Sequence, residues 1–341
     1  MFNRRSFLHS LTAMTSALSL PQKANAQDSD ILGDLLPQRR LGKTDEYVTM
    51  LGLGGAHVDS QFNESGAQEI IETSLAGGVR FFDTAHSYGG GRSEERYGRF
   101  LTPKYREHVF IMSKAELNTA AKVRQQLEDT LRRLNTDYLD LWQMHQVMSA
   151  DDADDRIAHG VLEEFVKAKD EGKVRYIGFT GHRDPAAHLR VLGETDIFQT
   201  CQMPINCADP SYGSFIRSVL PELVPRDFGV IAMKTLACGG FFGGTTWFQN
   251  GPKPKICPTR MSVQEAIHFV WSMPVSVLVT GPNSVEQMQE KIDLARSYTG
   301  MSEDERQQLI DKVVDLTPDS GVEFYKADGL QTSADWQNHC D

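Results

Sequence analysis

From Tyr47 onward the chain alternates between two patterns. Short runs rich in Val, Ile, Leu and Phe recur at residues 48–54, 79–83, 108–113, 138–145, 174–180, 198–203, 229–234 and 275–280. Several lack polar alternation, the signature of strands buried on both faces, as in a parallel sheet. Stretches of helical spacing lie between them. In residues 119–135, Val123, Leu127, Leu131 and Leu134 make one apolar face, and Lys122, Arg124, Glu128 and Arg132 line the other side. Similar patterns fall at 67–76, 94–101, 157–170, 185–191, 213–222, 263–272 and 285–297, with a last one at 303–315. Eight strand-then-helix units in series predict an α/β fold, a closed (β/α)8 TIM barrel. A doubly wound open sheet is the other arrangement of such units, but no GxGxxG follows the first strand. Residues 39–47, "RRLGKTDEY", read as an N-terminal hairpin capping the barrel bottom. The stretch after Pro318 has no strong period and reads as an extended tail on the surface.

Residues 1–26 follow neither pattern. Arg4 and Arg5 precede an apolar stretch, residues 7–20, and Ala24-Asn25-Ala26 follows it. These are the n-region, h-region and A-x-A site of a cleaved signal peptide. Ser, Thr and His interrupt the apolar stretch, which is too short to span a bilayer. The twin arginine followed by Ser6-Phe7-Leu8 resembles a Tat signal. The expectation is a signal peptide, 1–26, and one domain, 27–341, exported by the Tat machinery to the periplasm or beyond, soluble and with no stable membrane anchor. Losing Arg4, Arg5 and Lys23 takes the net charge from −11 to −14. No basic run appears after residue 40, which argues against a nucleic-acid partner. The five cysteines (Cys201, Cys207, Cys238, Cys257 and Cys340) are odd in number and form no C-x-x-C, so neither a zinc spacing nor a disulfide framework is implied.

In a barrel of this kind the reactive side chains gather at the C-terminal ends of the strands. The second candidate strand ends in Asp83, and Tyr88 follows five residues later in "FFDTAHSYGGGRSEERYG". The third ends in Lys114 and the fourth in His145. A lysine at the end of an apolar strand is costly unless paired, and Asp83 on the neighbouring strand is its natural partner. An ammonium beside a phenol favours the phenolate, which lowers a pKa that is ordinarily about 10. Histidine at the same mouth can hydrogen-bond a substrate oxygen. The set suits carbonyl reduction, in which hydride arrives at carbon while Tyr88 protonates oxygen; in reverse, Tyr88 removes the alcohol proton. The expected partner is a small-molecule carbonyl or alcohol.

These segments, with "LGLGGAH", "DYLDLWQMH", "GKVRYIGFTGH" and "VTGPNSVEQMQEKI", resemble the aldo-keto reductase superfamily over nearly all of the mature chain. The resemblance implies a catalytic tetrad of Asp83, Tyr88, Lys114 and His145. It also implies a nicotinamide cofactor, NADP with NAD possible, bound without a Rossmann fold. Gly55 and Ala56 would border that cofactor. Thr180 and Gly181 stand where the family often has Ser-Asn, so a hydroxyl is kept and an amide lost. Gln202 matches the family's glutamine on the sixth strand. Met233 replaces a tyrosine often stacked under the nicotinamide and offers a softer platform. Lys234, Thr235 and Leu236 follow it into a Gly-rich loop whose start, 235–240, could present backbone N–H groups to a pyrophosphate. Gly281, Asn283, Ser284, Gln287 and Glu290 match the adenosine-phosphate segment, although the arginine often found there for the 2′-phosphate is absent. His57, His86 and Trp247 are candidate substrate contacts, and Phe241, Phe242, Trp247 and Phe248 could form a wall or lid.

Three other readings stay open. His57, His86 and His182 at strand ends, with Lys and Asp, could serve a metal-dependent hydrolase; the first strand carries no H-x-H, and no metal is expected. An exported enzyme without a supply of free NAD(P)H could retain its cofactor and act as an epimerase or dismutase on a sugar-like substrate. A non-catalytic barrel could bind cofactor and regulate a partner.

Overall fold

The computed structural model describes residues 27–243 and 255–326. Eight parallel strands close a barrel in chain order. They are β1 (Leu51–Gly54), β2 (Phe81–Asp83), β3 (Phe110–Ala115), β4 (Leu139–Met144), β5 (Val174–Thr180), β6 (Thr200–Pro204), β7 (Gly229–Met233) and β8 (Val277–Thr280). Each of the eight apolar runs supplies one of them. The period of two then sorts the side chains. Phe81, Phe110, Met112, Leu141, Ile231, Val277 and Val279 make an inner cluster. Their neighbours Phe82, Ile111, Trp142 and Leu278 belong to the larger layer that includes the helices. Trp142 stacks on Phe165 of the helix Val161–Asp170 with ring centroids 3.9 Å apart. Parity alone carries the inner face upward from Phe81 to Asp83, from Met112 to Lys114, and from Leu141 to Gln143 and His145.

The floor is the predicted hairpin. Gln38–Arg40 pairs antiparallel with Tyr47–Thr49, and Leu41 and Val48 complete the inner cluster from below. The Lys43 N–H donates to the Asp227 carbonyl at 2.6 Å, and Ser276 Oγ donates to the Arg40 carbonyl at 2.8 Å. Gly42 has φ 50 and packs so closely that a Cβ there would lie 2.2 Å from the Gly229 nitrogen.

Three expectations change. The single helix at 157–170 is two, Ala150–Ala158 and Val161–Asp170, broken at Gly160, whose φ is 76. The segment at 213–222 is two single turns, Phe215–Ser218 and Leu220–Leu223; Pro221 has no N–H with which to continue a helix. Of the tail, residues 322–326 are not on the surface, and residues 327–341 lie outside the described residues. Val322, Glu323, Phe324, Tyr325 and Lys326 are each no more than 3 % exposed. Lys326 Nζ donates to Glu323 Oε2 at 2.6 Å, to Asp209 Oδ1 at 2.7 Å and to the Tyr212 carbonyl at 3.0 Å. Tyr325 OH and Asn206 Nδ2 both donate to Glu323 Oε1, at 2.6 and 2.8 Å. Polar groups that satisfy one another hold this segment, so no apolar period announces it.

No helix among the described residues is long and apolar enough to cross a membrane. The proposed signal peptide, Trp247, Phe248 and Cys340 lie outside the described residues.

The floor yields a stability prediction. Leu41 is fully buried, and Leu41→Ala leaves a cavity that cannot refill from solvent. The expected loss is about 2–5 kcal/mol of unfolding free energy, read by urea denaturation. A loss under about 1 kcal/mol would mean that the hairpin is not part of the folded core.

Candidate active site

Asp83 closes β2 and Lys114 is the penultimate residue of β3, one place inside the strand rather than at its end. They are 3 % and 1 % exposed. Lys114 Nζ donates to Asp83 Oδ1 and, at 2.8 Å, to the Thr84 carbonyl. It also lies 3.4 Å from Tyr88 OH. Gln202 Nε2 donates to Asp83 Oδ2 at 3.0 Å, so both carboxylate oxygens are engaged. Burial pushes the Lys114 ammonium below its ordinary pKa, and the charge and hydrogen bond of Asp83 oppose that shift.

Tyr88 is placed by the three glycines behind it. Gly89, Gly90 and Gly91 have φ of 57, 66 and 102, left-handed conformations that glycine adopts without strain. At Gly89 a Cβ would meet the Asp59 carboxylate at 2.0 Å, and at Gly91 it would meet the Arg133 guanidinium at 2.4 Å. The helix that follows is Arg92–Phe100, and Ser93 does not cap it. Ser93 is buried, donates to the Gly55 carbonyl at 2.9 Å and shares a hydrogen bond with Thr84 Oγ1. The next residue, Glu94, accepts from Ser113 Oγ, Thr130 Oγ1 and Arg133 Nη1, tying the Tyr88 turn to β3 and to the helix Ala120–Leu134.

His145 follows β4, and its ring meets Tyr88 edge-on at 5.8 Å. Its Nδ1 is 3.3 Å from Glu116 Oε2. Burial holds His145 below its ordinary pKa; Glu116 opposes this and Lys114 adds to it. For Glu116, burial raises the carboxyl pKa, but the hydrogen bond and charge of His145 outweigh it, and the group titrates below its ordinary value. At neutral pH the pair is therefore a carboxylate and a neutral imidazole. The Nδ1 proton is directed to Glu116, which leaves Nε2 as an acceptor.

A cavity of about 590 Å³ opens over these groups. Asp83, Tyr88, Lys114 and His145 line it at one end, and Asn283, Gln287 and Glu290 line it elsewhere. Ala56, His57, Thr180, Gln202, Met233, Lys234, Thr235, Leu236 and Gly281 also line it, so most of the predicted cofactor positions share one space. The exceptions lie behind it. A Cβ on Gly55 would strike Ser93 Oγ at 2.5 Å, and one on Gly181 would strike the Val147 carbonyl at 2.5 Å. Both glycines therefore serve close packing of the wall. Ser284 caps the helix Val285–Arg296 by accepting from the Gln287 N–H. His86 is turned to Gln126, 3.2 Å away, and not into the cavity. Among the described residues, no group of three or more His, Cys, Asp and Glu side chains is placed to hold a metal ion.

Residues 50–256 match the Aldo/keto reductase family. The chain belongs to that family. As an aldo/keto reductase it is an NAD(P)-dependent oxidoreductase. It is 25% identical over 323 residues to the L-galactose dehydrogenase of Arabidopsis thaliana, covering 83% of this chain and 97% of that one. The holo form of an aldo-keto reductase from Bacillus halodurans shares the fold with a TM-score of 0.68 at 22% identity, covering 81% of this chain and 96% of that one. A glycerol dehydrogenase from Gluconobacter oxydans does so with 0.65 at 21%, covering 83% and 96%.

The cavity of this aldo/keto reductase fits a dinucleotide. Its volume falls within the range of about 300–1,000 Å³ usual for cofactor pockets. Gln202 Oε1 and Thr235 Oγ1 are buried in its wall without a hydrogen-bond partner, which suits a polar ligand. Two residues of the site, Glu116 beside His145 and Phe324 in the cavity wall, are not among the candidates from sequence. Glu116 was legible, because it lies two residues beyond Lys114 on the same inner parity. Phe324 gave no signal, since it arrives from the C-terminal segment.

The His145–Glu116 contact can be tested by following the imidazole resonances of His145 through a pH titration. In Glu116→Gln the raising influence of the carboxylate is gone, so the His145 midpoint should move down from its wild-type value. An unchanged or higher midpoint would show that Glu116 does not set the protonation of His145.

Proposed function

We propose that this aldo/keto reductase moves hydride between NADP and a small-molecule carbonyl or alcohol, with Tyr88 as the proton donor. The observation that carries the reading is the ammonium of Lys114, fixed by Asp83, 3.4 Å from Tyr88 OH. Thr180, Gln202, Met233 and Thr235 would hold the nicotinamide end of the cofactor, and Asn283, Gln287 and Glu290 the adenosine end. A bound reduced nicotinamide supplies hydride to the carbonyl carbon. Tyr88 gives its proton to the carbonyl oxygen, and the Lys114 ammonium stabilises the phenolate left behind. His145, neutral and accepting at Nε2, orients a substrate hydroxyl.

The alternative to NADP is NAD. The described wall offers Lys291 near the adenosine end, and its Nζ is 3.8 Å from Glu290. That pairing offsets the charge available to a 2′-phosphate, so the comparison of the two cofactors is worth making directly.

We further propose export by the Tat route to the periplasm, on the strength of Arg4-Arg5 and Ala24-Asn25-Ala26. Export motivates a second reading, in which a retained cofactor serves an epimerase or dismutase cycle.

Two outcomes test these proposals. Tyr88→Phe should lower kcat by about 10²–10⁴ while titration of nicotinamide fluorescence shows unchanged cofactor affinity. A variant with near-normal turnover would remove Tyr88 from the acid role. Denaturing the mature protein recovered from the periplasm and weighing the released small molecules should give about one NADP(H) per chain if the cofactor is retained. NAD(H) in its place would settle the nucleotide the other way, and a cofactor-free protein would refute retention.

A further inference from the structure

We propose that His145, Glu116 and His86 form a proton path between the substrate oxygen and solvent; this rests on the proposed transfer through Tyr88. The three side chains come from the ends of three neighbouring strands. His86 lies in the loop after β2, Glu116 just past β3 and His145 just past β4. His145 Nδ1 is 3.3 Å from Glu116 Oε2, and His86 Nδ1 is 3.9 Å from Glu116 Oε1. Glu116 therefore stands between the two rings, with one oxygen toward each. Gln126, on the helix Ala120–Leu134, settles the tautomer of His86. Its Oε1 accepts from the Leu117 N–H at 3.2 Å, which identifies its other terminal atom as the amide nitrogen. That nitrogen donates to Glu116 Oε1 and to His86 Nδ1, each at 3.2 Å. His86 Nδ1 is thus an acceptor on the side that faces Glu116, and the ring proton sits on Nε2. Backbone bonds hold this ring in place. The His86 N–H donates to the Lys114 carbonyl at 3.2 Å, and Arg133 Nη1 donates to the His86 carbonyl at 3.4 Å.

Each group on this line is set to pass a proton outward. His145 lines the cavity, accepts at Nε2 and holds its Nδ1 proton against Glu116. In alcohol oxidation, hydride leaves the carbinol carbon for the oxidised nicotinamide. The O–H electron pair becomes the second C–O bond, and Tyr88 takes the proton. Tyr88 passes it to His145 Nε2, the Nδ1 proton moves to Glu116 and on to His86 Nδ1, and His86 Nε2 releases its own to water. One proton leaves, and no charge stays on the path. The shift leaves both rings in their other tautomers, from which the reverse shift serves carbonyl reduction. The 3.9 Å step closes as His86 gains its proton, because an imidazolium and a carboxylate draw together. His86 is 20 % exposed and does not line the cavity, so it reaches water while cofactor and substrate fill the cavity. The other neighbour of Tyr88 offers no such exit, since Lys114, Asp83 and Gln202 are all deeply buried and bond to one another. Burial, opposed by Glu116 and Asp129 and aided by Arg133, keeps His86 below its ordinary pKa. Burial and Lys114 do the same for His145 against Glu116 and Asp83. Both rings are therefore neutral at neutral pH and able to take a proton in turn.

The test uses the holoenzyme with NADPH, and para-nitrobenzaldehyde and glyceraldehyde as probes, in dilute buffer with a pH indicator. Nicotinamide absorbance follows hydride transfer, and the indicator follows proton uptake. A second readout needs no turnover: exchange of the His145 Nδ1 proton with water, read by NMR of the imidazole N–H in the protein saturated with NADP. In the wild type, uptake should keep pace with hydride transfer. His86→Gln should slow both proton uptake and this exchange by about tenfold or more, with KM and cofactor affinity unchanged, and added imidazole should restore the rate. A merely structural role of His86 would raise KM and would not respond to imidazole. Unchanged N–H exchange in His86→Gln overturns the proposal, and so does a slow variant that imidazole does not restore; both leave the reductase reading intact. If the wild type reduces neither aldehyde, the reductase reading is what fails, and the N–H exchange alone then decides the path.

Discussion

An ammonium buried in the centre of a barrel is the constraint on which the rest of this site depends. Lys114 is nearly inaccessible, and a charge there is tolerable only with a counter-charge and full hydrogen bonding. Asp83 and the Thr84 carbonyl supply both, and Gln202 from the opposite side of the barrel takes the remaining carboxylate oxygen. Removing one partner from such a pair typically costs about 3–5 kcal/mol, because the other is left buried and uncompensated. The position of Asp83 thereby fixes where β2 must end, and Tyr88 has only four residues in which to return over the ammonium. That tight return explains the run of three left-handed glycines, two of which have no room for a Cβ.

The barrel was legible in the sequence because its strands are buried on both faces and its helices on one. Two different periods then alternate eight times. The floor was legible because its turn carries Gly42, where the chain passes within contact of Gly229. The Asp83, Tyr88, Lys114 and His145 set was legible because strand ends in a barrel share one mouth. Glu116 follows the same parity, two residues beyond Lys114, although it lies past the end of β3. The packing roles of Gly55 and Gly181 could not be read, since they depend on Ser93 and on the Val147 carbonyl, both remote in sequence. The burial of Ser93 between Gly55 and Thr84 likewise comes from tertiary packing.

The C-terminal segment shows the other limit. Residues 322–326 include Glu323, Tyr325 and Lys326, a composition that reads as solvated. Their burial rests on a polar network with Asn206 and Asp209 in the loop after β6. A lysine held by two carboxylates, with a tyrosine and an asparagine closing the remaining positions, can be buried because each polar atom finds a partner within about 3 Å. The hydrophobic pattern is blind to such an arrangement. The consequence for the site is direct, because Phe324 then lines the cavity and Tyr325 packs against two other lining residues, His182 and Lys234.

Burial also decides the state of the neighbouring histidine. His145 feels desolvation first, and the Lys114 ammonium disfavours a second positive charge at the same mouth. Glu116 pulls the other way, yet its effect is mainly to claim the Nδ1 proton of a neutral ring. Had His145 been charged, two acids would compete to protonate the substrate oxygen. On the reading proposed above, with His145 neutral and its Nε2 an acceptor, the proton that moves comes from Tyr88, whose hydroxyl lies 3.4 Å from the Lys114 ammonium. In the proposed reaction the Asp83–Lys114 pair would set the electrostatics of transfer, and the Glu116–His145 pair the orientation of what receives it.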